Sequence, residues 1–74
     1  MAEQFFEQAA ADNRLVLLDF GAEWCSTCKG VDRLLESAWP ELDSRLLWVK
    51  VDIHLRPDLV ERFKVLSVPT VVIL

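Results

Sequence analysis

A chain of 74 residues with 53% hydrophobic residues, two Gly and three Pro holds one domain at most and is not a disordered tail. Its net charge of −4 comes from interspersed acids and bases with no basic stripe, which argues against nucleic acid as a partner. No apolar run approaches the ~20 residues that span a bilayer, which argues against a membrane helix.

The segment Met1 to Glu7 carries acid where a secretory leader would carry Lys or Arg, so the chain reads as cytoplasmic. Phe5, Phe6, Ala9 and Ala10 recur at helical spacing and predict a short amphipathic helix over 3–11. Asp12-Asn13-Arg14 breaks it. The unalternated run 15–18, followed by Asp19-Phe20, predicts a strand buried on both faces.

A helix is expected from Cys25, with Val31, Leu34, Leu35 and Ala38 as its core-facing stripe. Pro40 is expected to end or restart it near Trp39. Residues 46–51 predict a second strand and 53–56 a connection that contains His54. Pro57 suits a first helical position, and Leu59, Val60 and Phe63 give that helix its apolar face. A third apolar run, 71–74, follows. Helix–strand alternation of this kind predicts α/β layers, with parallel pairing at least between the first two strands. The last run leaves a bare sheet edge, open to pairing with another copy of the chain, and reads as the end of a fragment.

The chemistry is concentrated in Trp24-Cys25-Ser26-Thr27-Cys28-Lys29. These are the only two cysteines, three positions apart, at the predicted start of a helix. A helix N-terminus favours the thiolate, which is the form that attacks disulfides. Structural zinc takes four ligands, and the chain offers two Cys and one His. A permanent structural bridge is disfavoured because so short a loop removes little entropy from the unfolded chain. Cys25 is therefore expected to be the exposed nucleophile, and Cys28, one turn inside the helix, the more buried partner that resolves the mixed disulfide. Asp19 follows an apolar run and is expected to be at least partly buried. Burial raises a carboxyl's pKa and lets it accept a proton near neutral pH.

Three blocks carry a resemblance: residues 15–29, Val49-Lys50-Val51-Asp52, and Val65-Leu66-Ser67-Val68-Pro69-Thr70-Val71. In this order and at these separations the chain resembles the thioredoxin family over nearly all of residues 15–74. The resemblance implies a three-layer α/β/α fold that lacks the family's C-terminal β-hairpin and last helix. It implies Asp19 beneath Cys28 as a base, with Lys50 near it. It also implies a cis bond before Pro69, the Val68 backbone offered to an extended substrate, and Trp24 partly covering the dithiol as an apolar docking surface. Two departures stand out. Ser26-Thr27 replaces the usual Gly-Pro, and Arg33 stands where many members have proline.

These readings converge on a protein-disulfide reductase acting through a reversible Cys25–Cys28 disulfide. No bound cofactor is needed. Its partners would be disulfide-bearing proteins and an electron donor, either a thioredoxin-reductase-like protein or a small thiol. The alternatives are a non-catalytic binding or co-chaperone module on the same scaffold, and an inactive fragment of a larger protein. Trp39 and Trp48 are read as packing residues and His54 as a loop residue.

Overall fold

The computed structural model describes residues 4–74. Six elements alternate: α1 (Gln4–Ala11), β1 (Leu15–Gly21), α2 (Ser26–Leu42), β2 (Leu46–Asp52), α3 (Pro57–Arg62) and β3 (Thr70–Ile73). The type and order of the elements match the predicted ones. The start of the first helix at residue 3 lies outside the described residues.

The sheet order is β2-β1-β3. β1 and β2 are parallel, with Leu18 opposite Val49 and Asp19 opposite Lys50. Parallel neighbours need a long crossover, and α2 supplies it. β3 returns antiparallel to β1, with Phe20 opposite Thr70 and Leu18 opposite Val72. The central strand is buried almost throughout, which explains its unalternated sequence.

Side chains alternate across a strand, so the register sorts the two faces. On one face Val16, Leu18, Phe20 and Val51 form the core with Ala9 of α1 and Leu59 of α3. The Arg62 guanidinium lies over the Phe6 and Phe63 rings at 5.7 and 5.4 Å, which ties α3 to α1 on that side. The other face carries Asp19, Trp48 and Lys50 and is covered by α2. The result is three layers, α1 and α3, sheet, then α2.

Two helix ends explain how short elements close. After α1, Arg14 N–H reaches the Ala9 carbonyl at 2.8 Å and Asn13 N–H reaches Ala10 at 3.2 Å. After α3, Val65 N–H reaches Val60 at 3.0 Å and Lys64 N–H reaches Glu61 at 3.2 Å. Both are Schellman closures, and their turning residues, Asn13 and Lys64, have φ of 57° and 55°. Arg14 then pins the start of β1, donating to the Asp43 and Leu46 carbonyls and pairing with Asp12 at 2.8 Å.

α2 differs from its sequence reading in two ways. It continues through Pro40 to Leu42, although proline removes one helical hydrogen bond. The lost bond lies in the last turn, which is held from outside. The Trp39 indole donates to Asp43 at 3.2 Å and packs on Trp48 with centroids 5.2 Å apart. The inward stripe is also rotated. Leu34 is 73% exposed and Ala38 is exposed, whereas Cys28, Asp32, Leu35 and Trp39 point inward or are half-buried. Hydropathy alone places the stripe on the apolar residues. The polar Asp32 takes an inward place because the sheet offers it partners.

Candidate active site

β1 ends at Gly21, and a tight turn leads into α2 through the Cys25 N–H to Ala22 carbonyl bond of 3.1 Å. Cys25 is the N-cap. Its backbone is extended (φ −92°, ψ 101°), and its Sγ accepts the Cys28 N–H at 3.1 Å. Small side chains with a hydrogen-bond acceptor suit this position because the first N–H groups of a helix have no partner within it. Cys25 and Cys28 are joined as a disulfide with Cα atoms 5.3 Å apart, inside the usual range for such bridges.

The expected contrast in exposure is absent. Cys25 is 6% exposed and Cys28 5%, so both are buried. The two sulfurs differ in surroundings instead. Cys25 Sγ meets the helix N-terminus. Cys28 packs against Gly21, where a Cβ would lie 3.4 Å from its Sγ. Cys28 also lines a cavity of about 330 Å³ together with Asp19, Asp32 and Lys50.

Asp19 is 3% exposed, the one polar residue among the buried described positions. Its Oδ2 accepts the Trp48 indole N–H at 3.1 Å. Burial, and next the Asp32 carboxyl beside it, push Asp19 up from the ordinary 3.8 to about 6, against the opposing pull of Trp48 and Lys50. Lys50 reaches Asp32 Oδ2 at 2.9 Å. Hydrogen bonding from Asp19 first, and then from Lys50, holds Asp32 below its ordinary value. Lys50 is raised in turn, chiefly by Asp32.

The remaining predicted residues gather near the same end of the sheet. Val68–Pro69 is a cis peptide. It immediately precedes Thr70, the residue opposite Phe20, and so sits at the level of Gly21. Trp24 is 69% exposed, and its indole donates to His54 Nε2 at 3.2 Å.

Sequence reasoning missed three participants. Asp32 lies four residues after Cys28, one turn along the same helix face, and that spacing was the available signal. Trp48 lies two residues before Lys50, so strand parity puts both on the α2 side. No local signal couples His54 to Trp24, because the contact spans 30 residues.

The sequence model of the thioredoxin family matches residues 1–74. Thioredoxin-1 of Drosophila melanogaster is 40% identical over 65 residues, covering 88% of this chain and 61% of its own length. A bifunctional thioredoxin reductase/thioredoxin of Mycobacterium leprae is 36% identical over 69 residues, covering 93% of this chain and 15% of its own. Among solved structures, the germline-specific thioredoxin Deadhead of D. melanogaster superposes with a TM-score of 0.82 at 37% identity, over 96% of this chain and 68% of that one. The chain thus spans 61% or less of the length of these curated relatives.

Proposed function

This chain belongs to the thioredoxin family, and from that premise we propose that it is a thiol–disulfide oxidoreductase that reduces protein disulfides. The observation that carries the reading is the Cys25–Cys28 pair at the N-terminus of α2, with the buried Asp19 on the cavity that Cys28 lines.

The reaction runs in two steps. The Cys25 thiolate attacks one sulfur of a substrate disulfide. The substrate S–S bond breaks, its second sulfur leaves as a thiolate, and Cys25 is joined to the first. The Cys28 thiol then gives its proton to the Asp19 carboxylate, and its sulfur attacks Cys25 Sγ. The bond between Cys25 and substrate breaks, and the substrate leaves with both sulfurs reduced. The dithiol loses two electrons and the substrate gains them.

The surroundings support these roles. The Cys28 N–H directed at Cys25 Sγ favours negative charge there. A carboxylate titrating near 6 accepts a proton better than an ordinary one. Lys50 tunes the acid cluster through Asp32. Trp24 and the Val68–Pro69 turn supply the docking surface, the exposed indole giving apolar contact and the Val68 backbone meeting an extended substrate.

Electrons for the next cycle come from a thioredoxin-reductase-like protein or a small thiol. The mycobacterial relative that unites both activities supports the first. A cytoplasmic setting, where thiols are kept reduced, suits the cycle. β3 is an outer strand of the described sheet, which supports pairing of that edge with a second copy.

The reduced chain, mixed with an oxidised protein substrate, is expected to reduce one substrate disulfide per chain, with Cys25→Ser inactive. Equal reduction by Cys25→Ser and the parent overturns the reading.

A further inference from the structure

Asp32 sits one turn beyond Cys28 on the inward side of α2, at a position where an apolar residue would ordinarily face the sheet. Its Oδ2 is taken by Lys50 at 2.9 Å. Its Oδ1 is buried, and no N–H or hydroxyl group among the described residues donates to it. The Asp19 carboxyl lines the same cavity, and hydrogen bonding between the two side chains acts on both. Two carboxyls can hydrogen-bond to each other only when one of them carries a proton. A protonated Asp19 is therefore a donor that the Asp32 carboxylate can accept from. The other charges facing this cavity are Glu23 from the loop before α2, Lys29 from α2 and Asp52 from β2. Glu36 of α2 acts on Lys50.

We propose that Asp32 is a positioning residue for the thiol chemistry: clamped by Lys50, its carboxylate shares one proton with Asp19 on the cavity that Cys28 lines. This rests on the oxidoreductase reading above. A fixed anion beside Asp19 raises that residue's affinity for a proton and so makes it a stronger acceptor for the Cys28 proton. Lys50, engaged with Asp32, is kept from pairing with Asp19, which would weaken it as a base. When Cys28 gives up its proton, Asp19 takes it and the Asp32 carboxylate accepts a hydrogen bond from Asp19.

The test is the carboxyl-carbon NMR titration of Asp19 in the oxidised full chain, for the parent, Asp32→Asn and Lys50→Met. The two carboxyls titrate as a pair, so the upper step is followed. Removing a like charge moves the midpoint of a neighbouring carboxyl by roughly one pH unit or more. Asp32→Asn is expected to lower the midpoint by about that amount, and Lys50→Met is expected to raise it. The opposite signs keep the test informative if one variant does not fold. A midpoint that moves in neither variant overturns the proposal.

The second readout is the pH profile of mixed-disulfide release in the reduced chain. Asp32→Asn should move it downward with the Asp19 midpoint, and Asp32→Glu should restore it. A moved midpoint with an unmoved release profile also overturns the positioning role. If the NMR steps move as expected but no variant or parent forms a mixed disulfide, the oxidoreductase reading itself falls and takes the positioning role with it.

Discussion

Cys28→Ser is expected to accumulate a covalent adduct with its substrate, approaching one substrate per chain, and to lose turnover. In the proposed mechanism the first step needs only Cys25. Its sulfur sits at the helix N-terminus with the residue-28 N–H directed at it, and that N–H is a backbone group the substitution retains. The second step needs a thiol at position 28, because a serine hydroxyl does not displace sulfur from a disulfide under these conditions. The mixed disulfide therefore forms and stays. Intact-mass measurement of the variant after incubation with an oxidised protein substrate reads the adduct, and added dithiothreitol should release it. Cys25→Ser should give no adduct. Parental turnover by Cys28→Ser would show that Cys28 does not resolve the intermediate.

Asp19→Asn is expected to make the protein more stable at neutral pH while slowing release of the mixed disulfide. The sign follows from the direction in which burial moves this carboxyl. Asp19 is raised from 3.8 to about 6, so between these values the folded chain binds more protons than the unfolded one. Stability from this group is complete below the unfolded pKa and is lost as pH rises through about 6. At pH 8 the parent carries a buried carboxylate at a cost on the order of 2–3 kcal/mol, because each pH unit between the folded and unfolded pKa corresponds to about 1.4 kcal/mol. Asparagine removes that charge. It can still accept from Trp48, and its amide can donate to Asp32 in place of the shared proton. Urea unfolding at pH 8 should show a gain of roughly 1–3 kcal/mol, shrinking toward zero near pH 3.5. In the proposed mechanism the same variant lacks the base for Cys28, so release should slow around neutral pH. A gain independent of pH, or a loss at pH 8, would show that no buried charge resides on Asp19.

The parts of this fold that are legible in the sequence are those set by local pattern. An unbroken apolar run at 15–18 specifies a strand covered on both faces, and β1 is that strand. Two cysteines before a helical pattern specify a dithiol at a helix start, and Cys25 is the N-cap. Asp19 declares itself by lying inside an apolar strand. The parts that are not legible depend on pairings distant in sequence. Asp32 escapes notice because a charged residue does not read as inward-facing. It is inward because Lys50, 18 positions away, and Asp19, 13 positions away, receive it. The rotation of α2 follows from the same contacts, since turning Asp32 inward carries Leu34 out toward solvent. Helix continuation past Pro40 is likewise a tertiary effect, secured by Trp39 against Trp48 and Asp43. The equal burial of the two cysteines in the disulfide is a property of the folded turn around them, which spacing alone does not describe.

Whether this chain builds a working dithiol site is decided by the pH dependence of alkylation at each cysteine of the reduced chain, resolved by mass spectrometry. The helix N-terminus and the Cys28 N–H should outweigh burial at Cys25. Cys25 is then expected to react first, with a pKa below the ~8.5 of a free thiol, and Cys28 to react slowly at a higher pH. Two cysteines that react alike, both near ~8.5, would mean that the helix start does not activate Cys25 and that the site does not work as described.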